Sequence, residues 1–188
     1  ARALGDVTVV NGGTLNADGM KYAFGVYASA GTGDVMVDNR AGGEIGFYSY
    51  VGRGFGVLGV SSQGDVTVTN EGSIEGYAYG QSAGIFAVAL QGDTGVGNSG
   101  SIDVTTGGNV AVGVFARADY GTATVVNSGS IDATSGNAYY AGYAAYGVLA
   151  RGAYAQASNS GSISATGHYA ATGLAARSDC GTVVSTTS

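Results

Sequence analysis

Asn98-Ser99-Gly100-Ser101-Ile102 recurs letter for letter at 127–131 and 159–163. Looser copies start at Asn11 (Asn-Gly-Gly-Thr-Leu), Asn39 and Asn70 (Asn-Glu-Gly-Ser-Ile). Successive asparagines lie 28, 31, 28, 29 and 32 residues apart. A period of this size marks a repeat architecture, in which each unit buries its apolar face against its neighbours.

Aligned on these asparagines, every repeat contains three short segments of β character. The first ends at the asparagine, as in Gly-Asp-Val-Thr-Val-Val-Asn at 5–11, and returns at 33–39, 64–70, 92–98 and 121–127, with weaker copies at 153–159 and 181–187. Alternation places Val7, Val35, Val66, Thr94, Ala123, Ala155 and Val183 in one column. Val9, Val37, Val68, Val96, Val125, Ala157 and Ser185 form a second column on the same face. A period of two means one buried face and one wet face. The second segment is anchored by Leu15, Ile45, Ile74, Ile102, Ile131 and Ile163. The third follows the glycines at 25, 56, 84, 113, 147 and 173, with Val26, Val57, Ile85, Val114, Val148 and Leu174 next and small residues two positions later. Both of these third-segment columns are expected to face inward.

Segments that recur in one order pair in parallel with their own copies. Helical hairpin repeats are disfavoured by the Gly, Val and Thr content and by the absence of a 3.6-residue period. A propeller blade needs a fourth strand and usually about 40 residues. The pattern therefore predicts an all-β fold, a right-handed parallel β-helix with three strands per coil of about 30 residues. Six coils and a partial seventh, stacked at about 4.8 Å, make a rod about 30 Å long.

Composition agrees. The 188 residues include 36 glycines and no proline, which central strands exclude. Net charge is -6 and Lys21 is the only lysine, which argues against a nucleic-acid partner. No apolar run reaches the ~18 residues of a spanning helix. The single cysteine, Cys180, cannot form an internal disulfide.

The asparagines Asn11, Asn39, Asn70, Asn98, Asn127 and Asn159 are predicted to form a structural ladder at one corner of the coil, their amides bonding each other and nearby backbone. The glycines at 13, 72, 100, 129 and 161 are expected to supply positive φ at that corner. Coil two carries a two-residue insertion, Asn39-Arg-Ala-Gly-Gly-Glu-Ile45, and should bulge there. Both chain ends cut through the repeat, so residues 1–188 are expected to be one segment of a longer β-helical array.

The tandem pattern Asn-Ser-Gly-Ser-Ile-x-Ala, then a Gly-Val/Ile-x-Ala strand, then Gly-Asp-x-x-Val, resembles the passenger regions of Gram-negative autotransporters and related secreted adhesins. The resemblance spans the whole chain and is specific to a repeat style. It implies an extracellular rod at the bacterial cell surface, with a separate outer-membrane barrel outside these residues. Gly-x-Ser-x-Gly occurs once, at Gly80-Gln81-Ser82-Ala83-Gly84, where Gly84 belongs to the glycine column of the third segment.

On the outer surface, third-strand alternation predicts an apolar stripe of Tyr27, Leu58, Phe86, Phe115 and Leu149, ending at Ala175. A stripe of a few hundred Å² often marks an interaction site. Alternatively the loops before the third strand fold over it. Those loops are expected to carry Tyr22, Tyr48, Tyr50, Tyr77, Tyr79, Tyr139, Tyr140, Tyr143 and Tyr169. Beside the stripe run Arg117, Arg151 and Arg177, either a grip for an anionic polymer or solvated heads with covering stems.

Asp6, Asp34, Asp65 and Asp93 form a column that either splays into water or shares a cation. Glu75, Asp103 and Asp132 form the one candidate acidic cluster of a polysaccharide-acting enzyme. A solvated acidic ladder is the competing reading. His168 lacks the partners of a zinc site, and no metal or cofactor is expected. Thr8, Met36, Thr67, Gly95, Thr124 and Gln156 form an interrupted column, which argues against ice binding. The expected role is a non-enzymatic surface-exposed or secreted rod, an adhesin or stalk segment. Its partners would be a surface protein or glycan, or other copies of the rod.

Overall fold

The computed structural model describes residues 1–136 and 143–180, with the backbone also described at 183–187. Among these residues there is no helix. The chain winds as a right-handed parallel β-helix of about six coils. Second-strand segments Thr14–Gly19, Glu44–Ser49, Ser73–Ala78, Ser101–Thr106, Ser130–Ser135 and Ser162–Gly167 stack as one six-stranded parallel sheet. First- and third-strand segments share a twelve-stranded sheet. They are joined because the third strand runs straight into the next first strand in Val110–Asn127 and in Ala144–Asn159.

Register is set by like residues stacking on like. Leu15, Ile45, Ile74, Ile102, Ile131 and Ile163 are each paired with the next. The middle four are fully buried, and each contributes roughly 1.5–3 kcal/mol by leaving water. Val35, Val66, Ala123 and Ala155 close the core from the first strand, with Val57, Ile85, Val114 and Val148 from the third. Thr94 is the one polar member of its column. Its hydroxyl donates to the Arg117 carbonyl at 2.7 Å and accepts from the Ala89 amide, so its burial leaves nothing unpaired.

The third strand departs from simple alternation. Ala23 and Val26 are buried while Phe24 and Tyr27 both face out, so the inward-outward pattern slips by one at Gly25. The glycine column is where this slip is packed. A Cβ on Gly25, Gly56, Gly84, Gly113 or Gly147 would overlap the Cγ2 methyl of Ile45, Ile74, Ile102, Ile131 or Ile163 of the next coil. Each missing side chain is the socket for an isoleucine. Coil two adds a local exchange of volume. Phe47 occupies a column that is otherwise small, and Gly76 and Gly54 leave the space its ring fills.

The asparagine corner is a continuous chain of amide bonds. Nδ2 of Asn11, Asn39, Asn70, Asn98 and Asn127 each donates to Oδ1 of the next asparagine, at 2.6–2.8 Å. The same nitrogens also donate to backbone carbonyls, as Asn98 does to Gly100 and Ser130. All but Asn159 are buried.

The corner glycines act differently from the sequence expectation. Gly13, Gly72, Gly100, Gly129 and Gly161 do not adopt positive φ. From Gly72 onward they are required by close approach instead, because a Cβ on Gly100 would overlap the Gly72 carbonyl of the coil below, and the same holds at Gly72, Gly129 and Gly161. Among the described glycines positive φ occurs at Gly42, in the inserted turn. There the Gly43 amide bonds the Arg40 carbonyl at 2.8 Å, closing a turn of the type that needs glycine at its third position. The insertion is thus absorbed without breaking the stack.

Candidate functional site

Two outer faces hold the residues with chemistry. On the third-strand face, Tyr27, Leu58, Phe86, Phe115, Leu149 and Ala175 are paired in one vertical column. The slip at the glycines adds a second outward column that strict alternation hides, Phe24, Phe55, Ala83, Val112 and Tyr146. The rings thread between the two columns. Phe24 stacks on Phe55 at 5.5 Å, Phe55 meets Phe86 edge-on at 5.6 Å, and Phe86 stacks on Phe115 at 4.6 Å. Tyr22 and Tyr27 flank Phe24. Each such contact is worth about 0.5–1.5 kcal/mol beyond area burial, so the file is a stiff surface.

Among the described residues, the tyrosines do not form a single cover over this file. Tyr27 remains 37% exposed and Phe24 36%. Tyr22, Tyr50, Tyr79 and Tyr169 are themselves exposed, while Tyr143 is buried. Tyr139 and Tyr140 lie outside the described residues. Tyr22, Tyr48 and Tyr77 are not loop residues: Tyr22 opens the third strand Tyr22–Ala30, and the other two are outward positions of second strands, on the other face.

The arginines beside the file are largely committed. Arg117 makes a two-pronged pair with Asp119, at 2.5 and 3.1 Å. Arg151 lies 3.7 Å from Asp179. Their neutralised charge weakens the reading of a polyanion grip, and as half-exposed pairs they add less than about 1 kcal/mol each.

The Asp6, Asp34, Asp65 and Asp93 column has a defined job. Oδ1 of each accepts the backbone N–H of the residue stacked above it, Asp34, Asp65, Asp93 and Thr122, at 2.7–3.0 Å. The preceding glycine of the upper coil is needed because a Cβ on Gly33, Gly64, Gly92 or Gly121 would overlap that same carboxylate oxygen. The Gly-Asp dipeptide is a stacking device.

On the second-strand face, Glu75, Asp103 and Asp132 are vertical neighbours. Burial, then the charges of Asp132 and Glu75, push the Asp103 carboxyl above its ordinary value. One column over, Tyr48 stacks on Tyr77 at 5.2 Å, and Tyr50 meets Tyr48 at 4.7 Å. Partial burial, with Tyr48 and Tyr79 beside it, raises the Tyr77 phenol. Between the two columns runs an open groove of about 540 Å³, lined by Asn16, Asp18, Tyr48, Glu75, Tyr77, Asp103 and Thr105. On the other side of the acidic column, between it and Ser73, Ser101, Ser130 and Ser162, lies a trough of about 420 Å³ that reaches Asp132 and Ser164.

A raised carboxyl pKa fixes the sign of one prediction. The charged form of Asp103 is disfavoured by folding, so its contribution favours the native state at acid pH and is lost as pH rises through its titration. Asp103→Asn should therefore stabilise the chain slightly at neutral pH, by less than about 1 kcal/mol for so exposed a group, with no gain at pH 3. Thermal unfolding of both proteins at the two pH values checks this.

His168 and Cys180 are both exposed, and among the described residues no three His, Cys, Asp or Glu side chains are gathered as a metal site. Comparison with protein-family models, with curated proteins and with solved structures gives no significant match, so the family likeness rests on the repeat pattern of the sequence.

Proposed function

We propose that the chain is a non-enzymatic β-helical rod, displayed at or secreted from a bacterial cell surface, serving as an adhesin or stalk segment of an autotransporter-like passenger. Its outer-membrane barrel would lie outside these residues. The observation that carries the reading is the aromatic file from Phe24 to Phe115, an apolar surface held across four coils on ladders that cannot shift register. Rigid aromatic surfaces bind with little entropy loss, which suits contact with a surface protein or glycan.

Beads coated with the chain should adhere to matrix proteins or to host cells. Phe86→Ala with Phe115→Ala should cut adhesion at least about five-fold, as loss of two central aromatic anchors does at interfaces, while the far-UV circular dichroism stays that of the parent. Unchanged adhesion by the double variant would reject this face as the contact surface. The second reading, a polysaccharide-acting enzyme, is favoured by one observation, the raised Asp103 carboxyl between two acidic neighbours. Turnover of a polysaccharide that disappears in Asp103→Asn with Asp132→Asn would establish it; lysis unaffected by that pair would dismiss it.

A further inference from the structure

We propose that the second-strand groove is a binding site for an extended, non-acidic oligosaccharide, seated on Tyr48 and Tyr77. This deepens the surface-rod reading by naming what one face holds.

The shape argues for a chain-like ligand. The groove spans the first to fourth coils, from Asp18 to Thr105, and the trough on the far side of the acidic column spans the third to sixth. Three coil steps at about 4.8 Å give each some 15 Å of open track. The wall is two tyrosine rings 5.2 Å apart and inclined by 24°, on adjacent coils. Gly107 keeps the wall open, because a Cβ there would overlap the Tyr77 hydroxyl. Aromatic faces beside a row of acceptors suit a ligand with apolar C–H faces and a hydroxyl rim. Pyranose rings have both.

Donors to the acidic row must come from the ligand. Ionised Asp18, Glu75, Asp103 and Asp132 accept hydrogen bonds and cannot give them. No lysine or arginine lines the groove or the trough. A uronate or sulfated chain would meet a row of like charges without a counter-charge. A neutral hexose chain, or one bearing free amines, meets matched acceptors. An extended peptide is disfavoured by the backbone: this is the face of a sheet whose amides and carbonyls are already used between coils, so strand addition is closed to it. The raised Tyr77 phenol fits the same chemistry, since it stays protonated and able to donate.

The test uses the purified chain, titrated by isothermal calorimetry with a neutral β-linked hexose oligomer, an oligomer of free-amine hexosamine, a uronate oligomer, a sulfated oligosaccharide and oligolysine. Binding of one or both of the first two is expected, with no response to the acidic chains. Tyr48→Ala or Tyr77→Ala should each weaken it roughly two- to ten-fold, the worth of one aromatic contact. Tyr48→Phe and Phe86→Ala should retain it, which separates loss of the ring from loss of fold and one face from the other. The proposal is overturned by no saccharide binding, by preference for the acidic chains, or by loss in Phe86→Ala with retention in Tyr48→Ala. Salt-sensitive binding of oligolysine without any saccharide would overturn it too. A purified chain that binds no saccharide leaves the bead-adhesion result standing, so the two failures are distinguishable.

Discussion

Gly84→Val is expected to lower the thermal unfolding midpoint further than any other substitution considered for this chain. A side chain on Gly84 would overlap the Cγ2 methyl of Ile102 and come within 2.7 Å of the Gly113 carbonyl. Neither can retreat. Ile102 is held between Ile74 and Ile131 in a filled column, and the Gly113 carbonyl belongs to the coil above. Overpacking of this kind costs about 1–3 kcal/mol and sometimes more. A branched residue against immobile backbone belongs at the upper end, a large part of the 5–15 kcal/mol that holds a typical domain together. A double-mutant cycle makes the cause visible. Gly84→Ala and Ile102→Ala each destabilise, the second by leaving a cavity, yet together they should cost less than their sum. Strict additivity in urea unfolding would refute the socket explanation.

Asn98→Ala is expected to be the next most damaging change. It removes the acceptor for Asn70 Nδ2 and the donor to Asn127 Oδ1, and it strips the Gly100 and Ser130 carbonyls of one bond each. Asn98 is 2% exposed, so water cannot replace those partners without opening the corner. Leaving buried polar groups unpaired costs about 1–3 kcal/mol apiece, so a total of about 3 kcal/mol or more follows. Asn159→Ala is the internal control. Asn159 is only half-buried, accepts from Asn127 and donates to the Gly161 carbonyl. Chemical denaturation followed by circular dichroism should rank Asn98→Ala well below Asn159→Ala in stability. Equal losses would mean that the amide chain adds nothing beyond its local turn bonds.

Much of this architecture is legible in the residues because a parallel solenoid stacks each position on its own copy. Any column recurring at about 30 residues is then a column in space, and Asn11 to Asn159 or Leu15 to Ile163 can be drawn before a coordinate exists. What escaped that logic depends on contacts between different columns. Phe24 and Phe55 face outward because the glycine slip breaks the period of two. The signal was present in the glycine column itself, which leaves a position without a side chain opposite every isoleucine. Tyr48 and Tyr77 lie on the outer strand surface, where continuing the alternation from Ile45 and Ile74 puts them, and not in the loops that a tyrosine-rich edge suggests.

The corner glycines show a second limit. Glycine serves both unusual φ and close backbone approach, and a one-dimensional pattern does not separate the two. Only the carbonyl stacked beneath Gly100 does. From side chains alone the Asp6 to Asp93 column reads as carboxylates that splay into water or share a cation. Its partner is the amide of the coil above, a group present at every position and therefore invisible in a list of side chains.

The amide chain also has a mechanical meaning. Its bonds, like the backbone bonds between coils, point along the length of the rod, so a pull on the two ends loads every boundary head-on, and the boundaries give way one at a time. A coil of about 30 residues released this way would pay out roughly 100 Å of slack. A tether built on such a plan yields in measured steps, lengthening under a sudden load while the coils still wound keep their grip.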